Sequence, residues 1–254
     1  MIDLHSHLLP GVDDGSRTVD QSVQVLGELA AQGVTDVCLT PHLKASQASK
    51  GPPAAHDRAF EALAPAAPRM PRLHRGAEVM LDRPLASSTP EQLRKVTLGG
   101  TRYILVEFPR MVALDTVTNA LSRILELDLI PLLAHPERYS CCSPDAVSRW
   151  RTLGAAMQVD GPTLTTRQAR GQRARELLTY GLADIIAGDN HGDDRSMAQG
   201  QRFLLAQEAP EQAELLTRIN PGAILADSPL SPVPPVVIRT SWLQRLRGLL
   251  DRDE

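Results

Sequence analysis

The sequence predicts an α/β fold built on parallel strands, and three observations carry that prediction. Short apolar runs alternate with stretches of helical period as far as about residue 188, and strands that alternate with helices pair in parallel. The runs end in Gly, Pro or polar residues, the stop signals of strands and helices. A chain of 254 residues with 42% hydrophobic and 22% charged side chains is large enough to bury a sizeable core.

Residues 1–5 open as a strand. Val19, Val23, Leu26 and Ala30 then recur at helical spacing. Thr18 with Gln21 forms a capping-box start, and Gly33 is the stop. Residues 34–40 (VTDVCLT) are β-branched and apolar, a buried strand ended by Pro41. Further strands are predicted at 73–78, 103–108, 130–134, 156–160 and 184–188. Asp115 caps a helix carrying Val117, Leu121 and Ile124. Ser143 with Pro144 opens another that reaches Gly154, and a longer one runs from about 165 to Gly181. The count is seven strands, one short of the eight in a standard barrel. Residues 44–53 (KASQASKGPP) read as a mobile loop. Residues 228–235 (SPLSPVPP) read as a stiff linker that divides the chain into a main domain, 1–227, and a C-terminal segment, 228–254, of linker and helix. In that segment Trp242, Leu246, Leu249 and Leu250 share one face of an amphipathic helix, which either covers its own barrel or docks on a partner or membrane surface.

A net charge of −3 argues against a general nucleic-acid or membrane-surface binder. No apolar run reaches the roughly 18 residues of a membrane span, and the first residues lack the pattern of a secretory signal. Three cysteines, two of them adjacent, make no disulfide framework and fit a reducing cytoplasm.

The chemistry lies in the histidines and carboxylates. His5, His7, His42, His135 and His191 fall at or just past the carboxyl ends of predicted strands, as do Glu78, Glu107 and Asp189. In parallel barrels the active site is on that face. In His5-Ser6-His7 the strand period of two points both imidazoles the same way, and Asp189-Asn190-His191 repeats the geometry on the last strand. So many convergent polar groups would be costly to bury without a cation. Mixed imidazole and carboxylate ligation without thiolate suits zinc, manganese or iron. With one ligand from the Asp13-Asp14-Gly15 turn, nine candidates are enough for three ions. Arg138 follows His135 by three residues and Arg195 follows His191 by four. Each is placed either to grip a phosphate bidentately or to form a salt bridge with a neighbouring carboxylate. His56 and His74 lie elsewhere and read as structural or surface residues.

Taken in order, HSHLLPGVDDG, LTPH, GAEV, VEFP, LAHPERY and GDNH resemble the PHP (polymerase and histidinol phosphatase) superfamily, and within it the bacterial protein-tyrosine phosphatases of capsule and exopolysaccharide operons. The resemblance runs from Met1 to about Arg195. It implies a distorted seven-stranded parallel (β/α)7 barrel and a site for three divalent metal ions. By that analogy His5, His7, Glu78 and Asp189 hold one ion. Glu78, Glu107 and His135 hold a second, with Glu78 bridging, and Asp14, His42 and His191 hold the third. Arg138 and Arg195 match the family's substrate-phosphate arginines. The implied activity is metal-dependent hydrolysis of protein phosphotyrosine. The implied partner is a bacterial tyrosine kinase of polysaccharide export. A small-molecule phosphatase such as one for histidinol phosphate is the alternative within the same fold. A cysteine-based phosphatase fails on spacing: Arg149 follows Cys142 with six residues between, where that chemistry needs five.

Overall fold

The computed structural model describes residues 1–85 and 88–239. All strand pairings are parallel and fall into two sheets. One has the order β1 (Ile2–Ser6), β2 (Asp36–Leu39), β4 (Arg72–Arg75). The other runs β3 (His42–Lys44), β5 (Glu78–Met80), β6 (Tyr103–Glu107), β7 (Ile130–Ala134), β8 (Ala156–Asp160), β9 (Ile185–Ala187).

The expected strand 34–40 is therefore followed by a separate short strand, and the expected strand 73–78 is cut in two. Pro41 offers no N–H to the ladder, so the first break is chemical. The second falls at Gly76–Ala77, where Gly76 N–H still reaches the carbonyl of Leu39 (3.0 Å) and Glu78 N–H that of Pro41 (3.1 Å). At the other side of the molecule, Asp189 N–H donates to His5 (3.0 Å) and His7 N–H to Asn190 (2.7 Å), around a single parallel bridge between Ser6 and Asn190. The two sheets thus touch along both borders without forming one closed ladder, and the single seven-stranded barrel of the sequence reading is not what the strand pairing displays.

Side-chain parity along β6–β9 builds the interior. Tyr103, Leu105, Leu132, Ala134, Ala156 and Ile185 pack in one buried cluster. Their neighbours Ile104, Val106, Leu133, Met157, Val159 and Ile186 pack in another, which includes Val117, Leu121 and Trp150 of the covering helices. Alternation by two therefore puts Glu107, Gln158 and Asp160 on the same face as the first cluster. The helix Val19–Ala31 starts where Thr18 accepts from Gln21 N–H, although the Gln21 side chain turns to Arg17 N–H instead of closing a capping box. Ser143 caps the helix Pro144–Leu153 as expected. Asp115 sits in the first turn of Leu114–Leu125, and Ala113 occupies the cap without a side-chain bond.

The segment expected as a mobile loop at 44–53 contains a short helix, Ala45–Ala48, whose two terminal alanines are buried. Residues 228–239 lie against the domain. Val233 and Val236 are buried, Val236 N–H bonds Leu178 (2.9 Å), and Ser231 exchanges two bonds with the side chain of Asn220. Apolar side chains between the prolines hold that stretch down. The predicted amphipathic helix beyond it, with Trp242 and Leu246–Leu250, lies outside the described residues. Among the described residues no helix is long and apolar enough to cross a membrane.

Candidate metal centre

The carboxyl ends of the strands meet around a cavity of about 260 Å³ lined by Asp14, His42, Glu78, Glu107, His135, Asp189 and His191, with Arg138 beside them. His5 and His7 stand directly behind, both fully buried. All nine residues expected from the sequence as ligands are brought together here. His5 Nε2 is 3.3 Å from both Glu78 and Asp189, and His7 Nε2 is 3.3 Å from Glu78 and 3.4 Å from Asp189. His135 Nε2 lies 3.0 Å and His42 Nδ1 2.9 Å from Glu78. Asp14 faces His42 at 3.3 Å and His191 at 3.5 Å.

Four groups of side chains each gather their ligand atoms within 4.8 Å: His5, His7 and Asp189; His5, Glu78 and His135; His42, Glu78 and Glu107; and His7, Asp14, His42 and His191. Glu78 belongs to two of them, the arrangement a bridging carboxylate requires. Glu107 gathers with His42 while His135 gathers with His5, so the two halves of the second set implied by the resemblance meet through Glu78.

The adjacent aspartates divide their work. Asp13 accepts from His7 Nδ1 (2.8 Å) and from the backbone N–H of Gly15 and His42, so its oxygens are committed. Asp14 is exposed and points its carboxylate at two imidazoles. The turn can fold back on His7 only because residue 15 is glycine: a Cβ there would stand 2.0 Å from the His7 carbonyl oxygen. Two candidate ligands also sit in the left-handed backbone region, His135 at φ 34° and Asp189 at φ 48°. Such residues cost on the order of 1–3 kcal/mol each and persist where the surroundings fix them, commonly at functional sites.

Residues 1–226 match the family described as "Capsular polysaccharide synthesis, CpsB/CapC". The chain belongs to that family. Among its relatives, it is 27% identical over 243 residues to the tyrosine-protein phosphatase CpsB of Streptococcus pneumoniae, covering 89% of this chain and 99% of that one. It is 26% identical over 235 residues to the tyrosine-protein phosphatase YwqE of Bacillus subtilis (strain 168), covering 89% and 91%. A solved chain from the crystal structures of YwqE from Bacillus subtilis and CpsB from Streptococcus pneumoniae, called there unique metal-dependent tyrosine phosphatases, superposes with a TM-score of 0.74. It shares 23% identity and covers 94% of this chain and 100% of that one, a likeness of fold.

The donor set of this CpsB/CapC chain fits metal ions. Among the described residues two buried polar atoms of the candidate ligands make no hydrogen bond of good geometry: His135 Nδ1, and Glu107 Oε1, which lies 3.2 Å from His42 Nδ1. The electrostatics agree. Burial opposes charge on His5, yet Glu78 and Asp189 outweigh it and push the imidazole up to about 9; Glu107 and Glu78 do the same to His42, to about 10. Glu78 and Asp189 are held well below the usual carboxylate range, because the surrounding cations overcome the cost of burial. So concentrated a negative charge calls for positive charge at its centre, and a divalent ion supplies it at neutral pH.

Both arginines are paired. Arg138 donates through Nη2 to Asp160 and Asp189, while Arg195 pairs with Asp193 at 2.8 Å and stands 3.6 Å from Asp189. Arg138 lines the cavity and Arg195 does not. Of the two alternatives left by the sequence, the salt bridge is the contact present in both cases.

Sequence reasoning missed the layer behind the ligands. His5 Nδ1 donates to Gln158 Oε1 (2.9 Å), and Gln158 Nε2 donates to Asp160 Oδ1 (2.9 Å), which continues the chain to Arg138. The available signal was two polar residues at a spacing of two, Gln158 and Asp160, in the otherwise apolar strand AMQVD. Arg110, at the cavity mouth, was missed as well. The cysteines take no part: burial pushes the Cys142 thiol up to about 12, which disfavours the thiolate. His56 and His74 lie away from the cluster, the first buried and the second bonded to Asp36.

Proposed function

We propose that this chain hydrolyses protein phosphotyrosine and acts in capsule or exopolysaccharide synthesis, using three divalent ions of manganese, iron or zinc. The observation that carries the reading is the convergence of nine imidazole and carboxylate residues on one open cavity, in a chain of the CpsB/CapC family. The two touching sheets are read as a single PHP-type barrel of seven strands, interrupted at Pro41 and Gly76 and bordered at Ser6–Asn190.

His5, His7 and Asp189 would hold one ion with Glu78. Glu78, Glu107 and His135 would hold the second, and Asp14, His42 and His191 the third. When bound, such ions supply positive charge against the phosphoryl oxygens and lower the pKa of a nearby water. The rest falls to the chain. Asp13 and Gln158 each accept a hydrogen bond from the Nδ1–H of a histidine, which fixes the tautomer and aims Nε2 of His7 and His5 at the cluster. Asp160 and Asp189 hold the Arg138 fork in place, and its further N–H donors meet a phosphoryl oxygen. Arg195 approaches the same group from the Asp189 side. Water attacks phosphorus in line, the bond to the tyrosine oxygen breaks, and the products are tyrosine and inorganic phosphate.

The substrate in this reading is the phosphotyrosine segment of a bacterial tyrosine kinase of polysaccharide export. The test compares turnover of a phosphotyrosine peptide, histidinol phosphate and a phosphodiester by the metal-loaded protein. Preference for the peptide is expected, and preference for histidinol phosphate would move the reading to a small-molecule phosphatase.

A further inference from the structure

We propose that Arg110 reads the substrate: its guanidinium binds an anionic side chain next to the reacting phosphotyrosine. The inference rests on the phosphotyrosine reading above. Two of the arginines at this end of the molecule are already committed to carboxylates, Arg138 to Asp160 and Asp189 and Arg195 to Asp193. Arg110 also lines the cavity, is exposed, and makes no side-chain hydrogen bond or ion pair among the described residues.

A free surface arginine alone would mean little, but the backbone that carries this one is fixed. Phe108 N–H donates to the hydroxyl of the buried Tyr139 (3.2 Å), which donates onward to Ala134 (2.8 Å). The two rings meet edge to face with centroids 6.0 Å apart. Ser140 N–H donates to the carbonyl of Arg110 itself (2.8 Å), and Val112 N–H closes a turn on Pro109 (3.1 Å). The loops after β6 and β7 are thus clamped to each other at residue 110. An arginine on a fixed base loses less freedom on binding than one on a mobile loop.

Position selects the target. Arg110 lies three residues past Glu107, the last residue of β6, so its Cα stands at most roughly 10 Å from that of Glu107. That separates its base from the cluster where the reacting phosphate would lie, and puts it where the flanking side chains of a bound peptide emerge. Met111 beside it is 85% exposed and offers the same peptide an apolar contact. The matching chemistry is a carboxylate or a second phosphotyrosine, either of which a guanidinium grips bidentately.

The experiment measures kcat/KM of the metal-loaded protein on three phosphotyrosine peptides that differ only in the neighbouring residue: glutamine, glutamate or a second phosphotyrosine. Free phosphotyrosine is the fourth substrate. The native chain is expected to favour one or both anionic peptides over the glutamine peptide by about threefold to tenfold. Arg110→Ala should bring that ratio close to one and Arg110→Glu should invert it. The ratio for glutamate against that for phosphotyrosine tells which anion is preferred. A native ratio near one, or a ratio that survives both substitutions, overturns the proposal while leaving the phosphatase reading intact. An equal loss on all four substrates also overturns it, because Arg110 would then serve the reacting phosphate. No native turnover of any of the four would instead sink the phosphotyrosine reading itself.

Discussion

Replacing Gln158 by leucine removes the link between His5 and Asp160 with little change in volume, so no cavity confounds the result. Gln158 is fully buried, accepting from His5 Nδ1 at 2.9 Å and donating to Asp160 at 2.9 Å. The substitution leaves a buried imidazole N–H without a partner, at about 1–3 kcal/mol. Asp160 loses the donor to its Oδ1 and keeps Arg138 on Oδ2. Burial of the leucine methyls in place of the amide returns part of this cost. The net expectation is a destabilisation of about 2 kcal/mol. The larger effect falls on the metals, because an imidazole without its orienting acceptor can rotate or change tautomer; affinity should fall about 10–100-fold. The assay is metal titration of the chelator-stripped native and Gln158→Leu proteins, with circular dichroism to establish that both are folded. An affinity within about threefold of native would refute the claim that this layer orients the ligands.

Gly15→Ala should be severe, since the new Cβ would lie 2.0 Å from the His7 carbonyl oxygen and 2.4 Å from its Cβ. A loss of about 1–3 kcal/mol in unfolding free energy, together with loss of turnover, is expected; a variant with native melting and activity would contradict the contact. Glu137 gives a pH prediction. Burial, with Asp160 nearby, pushes its carboxyl from 4.5 up to about 8, so the folded chain keeps a proton that the unfolded chain releases. The stability it contributes is fully present below about pH 4.5 and is lost as pH rises through about 8. Melting of the metal-free protein should therefore fall less steeply between those values in Glu137→Gln than in the native chain, and equal slopes would count against the assignment.

Much of the site was legible in the sequence because it is written in strand parity. His5-Ser6-His7 and Asp189-Asn190-His191 announce two candidate ligands each on one face, and Pro41 announces the end of a strand. What escaped is of two kinds. Gln158 and Asp160 act through partners distant in sequence, His5 on β1 and Arg138 in the turn after β7, and nothing local marks which polar side chain will bond which. The division of the sheet at Gly76–Ala77 was equally hidden, because nothing local in the sequence marks where a strand leaves one partner, here the carbonyl of Leu39, for the next, that of Pro41. Asp13 and Asp14 were open alternatives for the same reason. Their roles separate only once the turn is folded back on His7 and one carboxylate is taken up by an imidazole and two backbone N–H groups.

In the proposed function the convergent histidines and carboxylates hold the ions on which phosphotyrosine hydrolysis depends. Elemental analysis of the purified chain, coupled to phosphotyrosine-peptide turnover before and after chelation, tests it most directly. Close to three ions per chain are expected, with turnover lost on chelation and restored by resupplied manganese, iron or zinc. Full turnover in a chain stripped of metal, or no metal uptake by a folded chain with every ligand intact, would contradict it.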